Sequence, residues 1–342
     1  MTEVRERTLP AAAPAVPPPP KPDPHRWYQV ETFRSLRHRS YLYMWIGLVF
    51  TSSGMWMEQV ITGWLVYTLT GSPLLVGLVN GLRALPFLVL GPLAGVAGDR
   101  MDRKKLLIWS QVIILGLYLI MAAILLLHLE QVWHIFAFSL ITGVAWTLNQ
   151  PIRQAVVPTL VPREDLVNAI ALQSVAFNST RIIGPVVGSL LMVAVGPGMT
   201  FLAASLTWIG VLYCTQQVKI PSMPSTTRKV VGVWADLVAG FRYVGRNTVA
   251  RGMMVLVLIP MLFAMPMMSL LPVVAREVFG GDVRVVGELM AANGAGSVVA
   301  ALWVASRGDR RGNGAVLMRS GLVMGASIVV FSLWGNYPLC LA

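Results

Sequence analysis

Three of the ionisable side chains within long apolar stretches of this sequence stand out: Glu58, Arg83 and Arg181. A charged group in apolar surroundings is costly, so such residues are functional candidates. Desolvation raises the proton affinity of a carboxylate and a neighbouring guanidinium lowers it. A carboxylate beside an arginine can therefore switch between a paired, charged form and a protonated, unpaired form. The chemistry that these residue types could perform is proton binding and release.

Chain spacing brings two of these residues to the same depth. Glu58 lies 13 residues before Gly71, and Arg83 lies 11 residues after Ser72. At about 1.5 Å rise per residue, antiparallel helices on either side of that turn place the two within about 3 Å of one level. We expect an ion pair, which is either a proton switch or a permanent structural pair between the two helices. Arg181 would add positive charge that an anionic substrate or a bound proton could exploit.

Other polar residues share helical faces with these three. The spacings of three, four and seven residues align them along helices one, two, four and five. Helices three and six lack charges at mid-length, so we expect the first four to line a polar path and the other two to face lipid. The aligned residues are Thr51, Gly54 and Thr62 with Glu58, Asn80 with Arg83, Thr142 and Asn149 with Arg153, and Gln173 and Asn178 with Arg181.

The composition is that of a membrane protein. Hydrophobic residues make up 56% of the chain and charged residues 12%, which leaves too little polar surface to cover a soluble globule. Runs of about 20 apolar residues match the length of a membrane-crossing helix. The sequence predicts an all-α integral membrane protein with nine such spans, at 41–70, 73–97, 105–129, 132–156, 166–192, 197–217, 252–275, 284–305 and 315–335.

Basic residues set the expected orientation. The chain has 27 Lys and Arg and a net charge of +12, and the basic residues cluster on the tails and on alternate loops. The positive-inside rule then places the amino terminus in the cytoplasm of a multi-pass protein of the cell (inner or plasma) membrane. Because the charges are scattered over short juxtamembrane segments, we attribute them to contact with membrane lipids and not to nucleic-acid binding.

No metal or cofactor is expected. The two cysteines, Cys214 and Cys340, lie in or beside apolar runs, and the four histidines do not form a ligand pair at helical spacing. Metal motifs, phosphate-binding loops and nucleophile elbows are missing from the sequence, which argues against a membrane-embedded enzyme.

The order of segments suggests two groups of helices. Residues 1–40 would form a disordered Pro-rich cytoplasmic tail and a juxtamembrane segment, and residues 41–217 a six-helix amino-terminal bundle. Residues 218–251 form a polar linker whose periodicity from Val230 to Arg246 predicts an amphipathic helix on the inner membrane surface. Residues 252–342 would begin a second bundle, so the chain has the layout of a two-halved transporter.

A charge cluster from Asp99 to Lys105 places six charges in seven residues between the second and third spans. With Gly95 before it, the cluster resembles the loop between helices two and three of the major facilitator superfamily, and residues 306–312 repeat the pattern faintly. The resemblance implies that Asp99 and Arg153 form a conformational lock, with Arg100 and Arg103 in the same cluster. Four further stretches resemble the enterobactin-exporter-like, multidrug branch: 33–39, 63–73, 149–154 and 161–166.

A glycine and proline motif in the fifth span is similar to the antiporter motif of that superfamily. It comprises Gly184, Pro185 and Gly188, and departs from the pattern at Thr180 and Ser189. The glycines allow close approach of a neighbouring backbone, and the proline bends the helix. An ordinary packing kink is the alternative interpretation.

Together these features predict a major facilitator fold with nine of an expected twelve helices. On this expectation three more spans follow Ala342 in a truncated carboxy-terminal bundle. The resemblance implies a monomeric exporter of small amphipathic molecules or a siderophore-like product, driven by proton antiport with alternating access. A proton-coupled importer and a non-transporting sensor or scaffold remain alternatives.

Overall fold

The computed structural model describes residues 31–220, 242–307 and 313–333, together with Tyr337 and Leu341. This part of the chain is helical and contains no strand, which confirms the all-α prediction. Two short 3₁₀-helices, Glu31–Arg37 and Arg163–Asp165, accompany nine α-helices. The α-helices are α1 Arg39–Thr70, α2 Pro73–Arg100, α3 Arg103–Leu126, α4 Val132–Leu160, α5 Leu166–Gln217, α6 Thr248–Ser269, α7 Leu271–Glu277, α8 Val283–Arg307 and α9 Asn313–Leu333.

These helices follow the predicted spans with two differences. The fifth and sixth spans form one element, α5, and the seventh is divided between α6 and α7 at Leu270. Residues 221–241 lie outside the described residues, and they include most of the predicted amphipathic helix from Val230 to Arg246. Within the described part, four helices are long and apolar enough to cross a membrane, namely α2 to α5, so the chain is a multi-pass membrane protein. The count of nine spans stays a prediction.

Two glycines with positive φ form the turns at one end of the bundle. Gly71, at φ 61°, ends α1, and its N–H donates to Tyr67 O at 2.8 Å. Gly196, at φ 81°, interrupts α5. A side chain would be strained in this left-handed backbone region, which glycine adopts freely.

Contacts with α1 show that α5 reverses direction at Gly196. Gly184 and Gly188 pack against Trp56 and Met57 of α1, and Gly54, only two residues from Trp56, packs against Thr207 and Trp208. An unbroken helix would hold residues 188 and 207 about 28 Å apart. The segment 166–195, which we call α5a, and the segment 197–217, α5b, therefore form a hairpin.

The bundle has two distinct ends. We call the end that carries Gly71 and Gly196 the hairpin end, and the end that carries His38, Lys104 and Arg163 the basic end. At the basic end Asp102 caps α3 by accepting hydrogen bonds from the backbone N–H groups of Lys104 and Lys105, at 2.8 and 3.3 Å. One carboxylate of the charge cluster thus has a local structural role.

The juxtamembrane segment is tied to α5 at the basic end. Arg34 Nε and His38 Nε2 each lie 2.8 Å from a carboxylate oxygen of Asp165. Ser35 Oγ donates to Asn168 Oδ1 at 2.6 Å, and Tyr41 donates to Ala169 O at 2.7 Å. Residues 31–40 are thus ordered against the bundle, whereas residues 1–30 lie outside the described residues.

An aromatic cluster fills the centre of the amino-terminal bundle. Tyr118 of α3 contacts Phe138, Phe201 and Trp208, with ring centroids 5.5 to 5.9 Å apart. All four are buried, and they join α3, α4 and α5b. The outer faces of these helices expose large apolar side chains such as Trp109, as expected where a helix meets lipid.

The two halves meet closely where α5a crosses α8. A Cβ added to Gly287 would lie 2.9 Å from Pro185 O and would also overlap Ser189. A Cβ on Gly294 would lie 2.8 Å from Ile182. The antiporter-like motif therefore lies where α5a contacts α1 on one side and α8 on the other, and small residues there permit close backbone approach.

This crossing makes Gly184 intolerant of a side chain. A Cβ at Gly184 would lie 2.7 Å from Trp56 Cβ, so Gly184→Ala should destabilise the bundle by about 1–3 kcal/mol through overpacking. Thermal unfolding of the purified protein in detergent measures the loss. Gly77→Ala on α2 is the control, because no atom lies within 4 Å of its Cβ position. Equal melting temperatures for the two variants would contradict the packing argument.

Candidate functional site

A buried ion pair joins α1 to α2. Arg83 Nη2 donates to Glu58 Oε1, and the two side chains are 20% and 1% exposed. Thr62, one turn along α1, donates to the backbone carbonyl of Glu58 at 2.8 Å, and its hydroxyl also lies 3.1 Å from the same carboxylate oxygen. Glu58 Oε2 and Arg83 Nε are buried without a hydrogen-bond partner in the described structure. The structure thus brings together the two residues that depth matching paired, and leaves hydrogen-bonding capacity on both.

A tyrosine that the sequence analysis did not select completes this environment. The Tyr118 hydroxyl is buried, its ring lies beside Trp208, and it is close enough to Glu58 and Arg83 to interact electrostatically with both. Helix three therefore contributes to the surroundings of the pair, contrary to the expectation that it faces only lipid. A lone phenol inside the apolar run 105–129 was the available signal.

Close packing of α2 against α4 fixes the position of Arg83. A Cβ on Gly143 would lie 3.1 Å from the carbonyl carbon of Arg83 and would overlap its oxygen. Only glycine fits this approach. As a result the Arg83 backbone is held against α4 while its guanidinium reaches α1.

Beside the pair lies a cavity of about 270 Å³. Its walls come from α1, α2, α4 and α5a, the four helices that the polar pattern selected, and no residue of α3 or α5b lines it. Polar and charged side chains alternate there with aromatic and aliphatic ones, as in many small-molecule sites. The lining residues are Leu48, Thr51, Ser52, Met55, Arg83, Phe87, Gly143, Trp146, Thr147, Gln150, Arg153 and Phe177.

Arg153 carries a second positive charge to this cavity. It is 8% exposed, and Nη2 donates to Met44 O at 3.2 Å. Among the described residues no carboxylate lies within ion-pair distance of it. Its guanidinium also approaches Gly47, where both Arg153 Nη2 and Cys214 Cβ of α5b lie within 4 Å of the position that a Cβ would take.

The three predicted path asparagines do not line the cavity. Asn80 and Asn178 donate to the backbone carbonyls of Val76 and Ser174 on their own helices, at 3.3 and 2.8 Å. Asn149 donates to Ser110 Oγ of α3 at 2.9 Å. In apolar surroundings an amide must find a partner, and the nearest one was within the helix or on a neighbour.

Arg181 also lies away from Glu58. Its guanidinium donates to Asn293 Oδ1 of α8 at 2.6 Å and lies 5.7 Å from the centre of the Trp56 ring. The expectation that two arginines face one carboxylate is therefore wrong in this conformation. Instead Arg181 links the two halves of the protein through its hydrogen bond to Asn293, and it makes a cation–π contact with Trp56 inside the amino-terminal half.

Part of the predicted lock lies outside the described side chains. Asp99 and Arg100 belong to α2, but their side chains are not among those that the structure describes. Arg103 begins α3. The pairing of Asp99 with Arg153 stays a prediction.

At the hairpin end α1 contacts α7 of the second half. Tyr67 donates to Glu277 Oε1 at 2.5 Å, and the Arg276 guanidinium lies 6.0 Å from the Trp64 ring centre. None of these contacts was predicted from the sequence. The sequence features that could have indicated them are two aromatic residues with polar groups shortly before Gly71 and two adjacent, oppositely charged residues directly after the seventh apolar run. Together Trp64, Tyr67, Arg276 and Glu277 form what we call the hairpin-end latch.

Comparison with known sequences identifies the family. Residues 30–341 match the model of the transmembrane secretion effector family of the major facilitator superfamily. The chain is 26% identical to the staphyloferrin A transporter of Staphylococcus aureus over 73% of its length, and 24% identical to macrolide efflux protein A of Streptococcus pyogenes over 77%. It spans only 62% and 65% of these two relatives. It is also 29% identical to the enterobactin exporter of Shigella boydii, over 55% of this chain and 42% of that one.

Solved structures share the fold. A bacterial homologue of the human lysosomal transporter Spinster, in an inward-facing and unoccupied conformation, superposes with a TM-score of 0.65 at 14% identity, covering 89% of this chain and 71% of that one. A D-xylose–proton symporter gives 0.57 at 15% identity, covering 90% and 77%. Both neighbours have the major facilitator fold. The three similar proteins are all transporters and not enzymes. Because the family match covers nearly the whole sequence, the chain belongs to the transmembrane secretion effector family of major facilitator transporters.

Proposed function

We propose that this protein is a secondary active exporter of small amphipathic molecules, a siderophore-like product among them, driven by proton antiport. The observation that carries the proposal is a cavity of mixed polar and aromatic lining directly beside the buried Glu58–Arg83 pair. Similarity to a siderophore transporter supports the substrate class, and similarity to a macrolide efflux protein and a siderophore exporter supports the direction. The amino terminus and the basic end would face the cytoplasm.

In this proposal Glu58 carries the coupling proton. When Glu58 is deprotonated, its carboxylate binds Arg83 and neutralises the positive charge of the guanidinium. Protonated, it no longer neutralises Arg83, whose guanidinium then requires another partner inside the bundle. Thr62 can hydrogen-bond either form, because a hydroxyl both donates and accepts. The proton state thus changes the charge that borders the cavity.

Alternating access would use contacts at opposite ends of the two halves. The hairpin-end latch holds α1 against α7, and most cavity-lining residues lie toward the basic end of their helices. This arrangement is the one expected when the site is open to the cytoplasm. The predicted lock of Asp99, Arg100, Arg103 and Arg153 would hold the opposite, outward-open state.

The coupling role of Glu58 is tested with Glu58→Gln. A glutamine keeps a carbonyl acceptor for Thr62 but cannot exchange a proton at physiological pH. We expect loss of gradient-driven uptake into inside-out vesicles, with downhill exchange retained, for erythromycin, Hoechst 33342 and naphthalene-1-sulfonate as probes. Wild-type coupled uptake by a well-expressed Glu58→Gln protein would eliminate this residue as the proton site. Efflux instead of uptake under the same gradient would favour the importer.

A double variant separates coupling from folding. If the pair is instead a permanent structural one, Glu58→Gln would leave the buried charge of Arg83 unpaired and would chiefly destabilise the bundle, by about 3–5 kcal/mol. Glu58→Gln combined with Arg83→Gln should restore the protein level without restoring coupled transport. Thermal stability and vesicle uptake are measured for both single variants and the double. A double variant that regains coupling would show that the pair is only structural.

Variants at the two ends should shift the conformational balance in opposite directions. Tyr67→Phe removes the hydroxyl that binds Glu277, so it should favour the outward-open state, whereas Asp99→Asn should weaken the inner lock and favour the inward-open state. Alkylation rates of single cysteines placed on either side of the cavity report the balance. Probe affinity measured within one state should change little. Collapse of affinity in Asp99→Asn at an unchanged balance would contradict the lock.

A further inference from the structure

Among the described residues Arg153 is a buried cation without a carboxylate partner, and the inner lock of the proposed cycle would pair it with Asp99 only in the outward-open state. Arg153 lines the cavity and is more than nine-tenths buried, and its described hydrogen bond goes to a neutral backbone carbonyl, that of Met44. A buried guanidinium without a carboxylate is costly unless a bound group compensates it. Arg153 therefore differs from Arg83, whose charge Glu58 balances.

The charges of the lining give the cavity a positive sign. Arg83 and Arg153 are its ionisable residues, and no Asp or Glu belongs to the described lining. Because Glu58 compensates Arg83, one positive charge remains. The other polar side chains of the lining are neutral, namely those of Thr51, Ser52, Thr147 and Gln150.

The cavity also provides room for an apolar body. Gly143 and Arg153 are ten residues apart on α4, which corresponds to about 15 Å along the helix. Trp146 lies between them in sequence, and Phe87 of α2 and Phe177 of α5a supply further aromatic surface. A molecule with an acidic group near Arg153 and an aromatic or aliphatic body directed toward Arg83 would match this order.

From these features we infer that the transported substrate is a soluble amphipathic organic anion, and that Arg153 binds its carboxylate, sulfonate or phosphate group. A guanidinium offers paired donors suited to such groups. This inference rests on the proposed export function and narrows its substrate class. An anion leaving a cell that is negative inside is also driven by the membrane potential, which favours export over import.

A matched pair of probes isolates the charge. Naphthalene-1-sulfonate is a permanent anion, and naphthalene-1-sulfonamide has nearly the same shape without the charge. Their affinities are measured by equilibrium dialysis with the full chain in phosphatidylcholine nanodiscs. We expect the wild-type protein to bind the sulfonate about 10-fold more tightly, as one charge-assisted hydrogen-bonded contact provides.

Three variants assign the preference to Arg153. Arg153→Gln should abolish it, and Arg153→Lys should retain part of it. Gln150→Glu, which adds a carboxylate three residues away on the same helix, should abolish it with Arg153 still present, and this variant serves if Arg153→Gln does not fold. Arg163→Gln, an exposed arginine at the basic end, is the control and should bind like wild type.

Several results would overturn the inference. Equal binding of the two probes by wild type would do so, and so would an unchanged preference in Arg153→Gln and Gln150→Glu, since Arg153 would then be only a lock residue. Competitive loss of sulfonate binding on adding phosphatidylglycerol would make the ligand a lipid headgroup instead of a soluble anion. If the protein binds the sulfonate and the sulfonamide equally but still transports erythromycin under a pH gradient, only this inference is contradicted, and the transport proposal stands. A charge preference without gradient-driven flux of any probe would instead sink the transport proposal.

Discussion

The absence of water around the helices is the constraint on which this structure depends, and the Glu58–Arg83 pair shows it most clearly. A hydrocarbon layer offers no hydrogen-bond partner, so each polar group within it must find one inside the protein. The carboxylate finds Arg83 and Thr62, and the asparagines find backbone carbonyls or Ser110. The positions of the helices follow from these pairings as much as from apolar packing.

Close backbone approach makes such pairings possible. Gly143 admits the backbone of Arg83, Gly184 and Gly188 admit α1, and Gly287 admits α5a. In lipid the hydrophobic effect does not favour contact between helices, so van der Waals contact across small residues must do so. The antiporter-like motif therefore has a structural role whatever its role in transport, because it lies between both halves.

Sequence analysis located the ion pair because helical rise is nearly constant and the turn at Gly71 is short. From the same periodicity came the four helices that line the cavity. It could not assign the partners of Asn80, Asn178 or Arg181. An amide can bond to its own helix at four residues' distance, which no spacing rule excludes. Arg181 bonds to Asn293, more than a hundred residues away, and periodicity within one helix carries no information about a partner in the other half. Tyr118 was not predicted because a phenol is neutral, so it does not stand out when apolar runs are searched for charged residues.

The contact between Gly143 and the Arg83 carbonyl has a kinetic consequence. Because the backbone of α2 is held there against α4, a change in the partner of Arg83 must come from rotation of its side chain and not from sliding of the helix. Side-chain rotations in an opened cavity take nanoseconds or less, whereas rocking of whole bundles takes microseconds to milliseconds. Protonation of the pair can then reach equilibrium within each open state before the halves move. The slow motion of the halves would therefore act on an equilibrated mixture of protonation states.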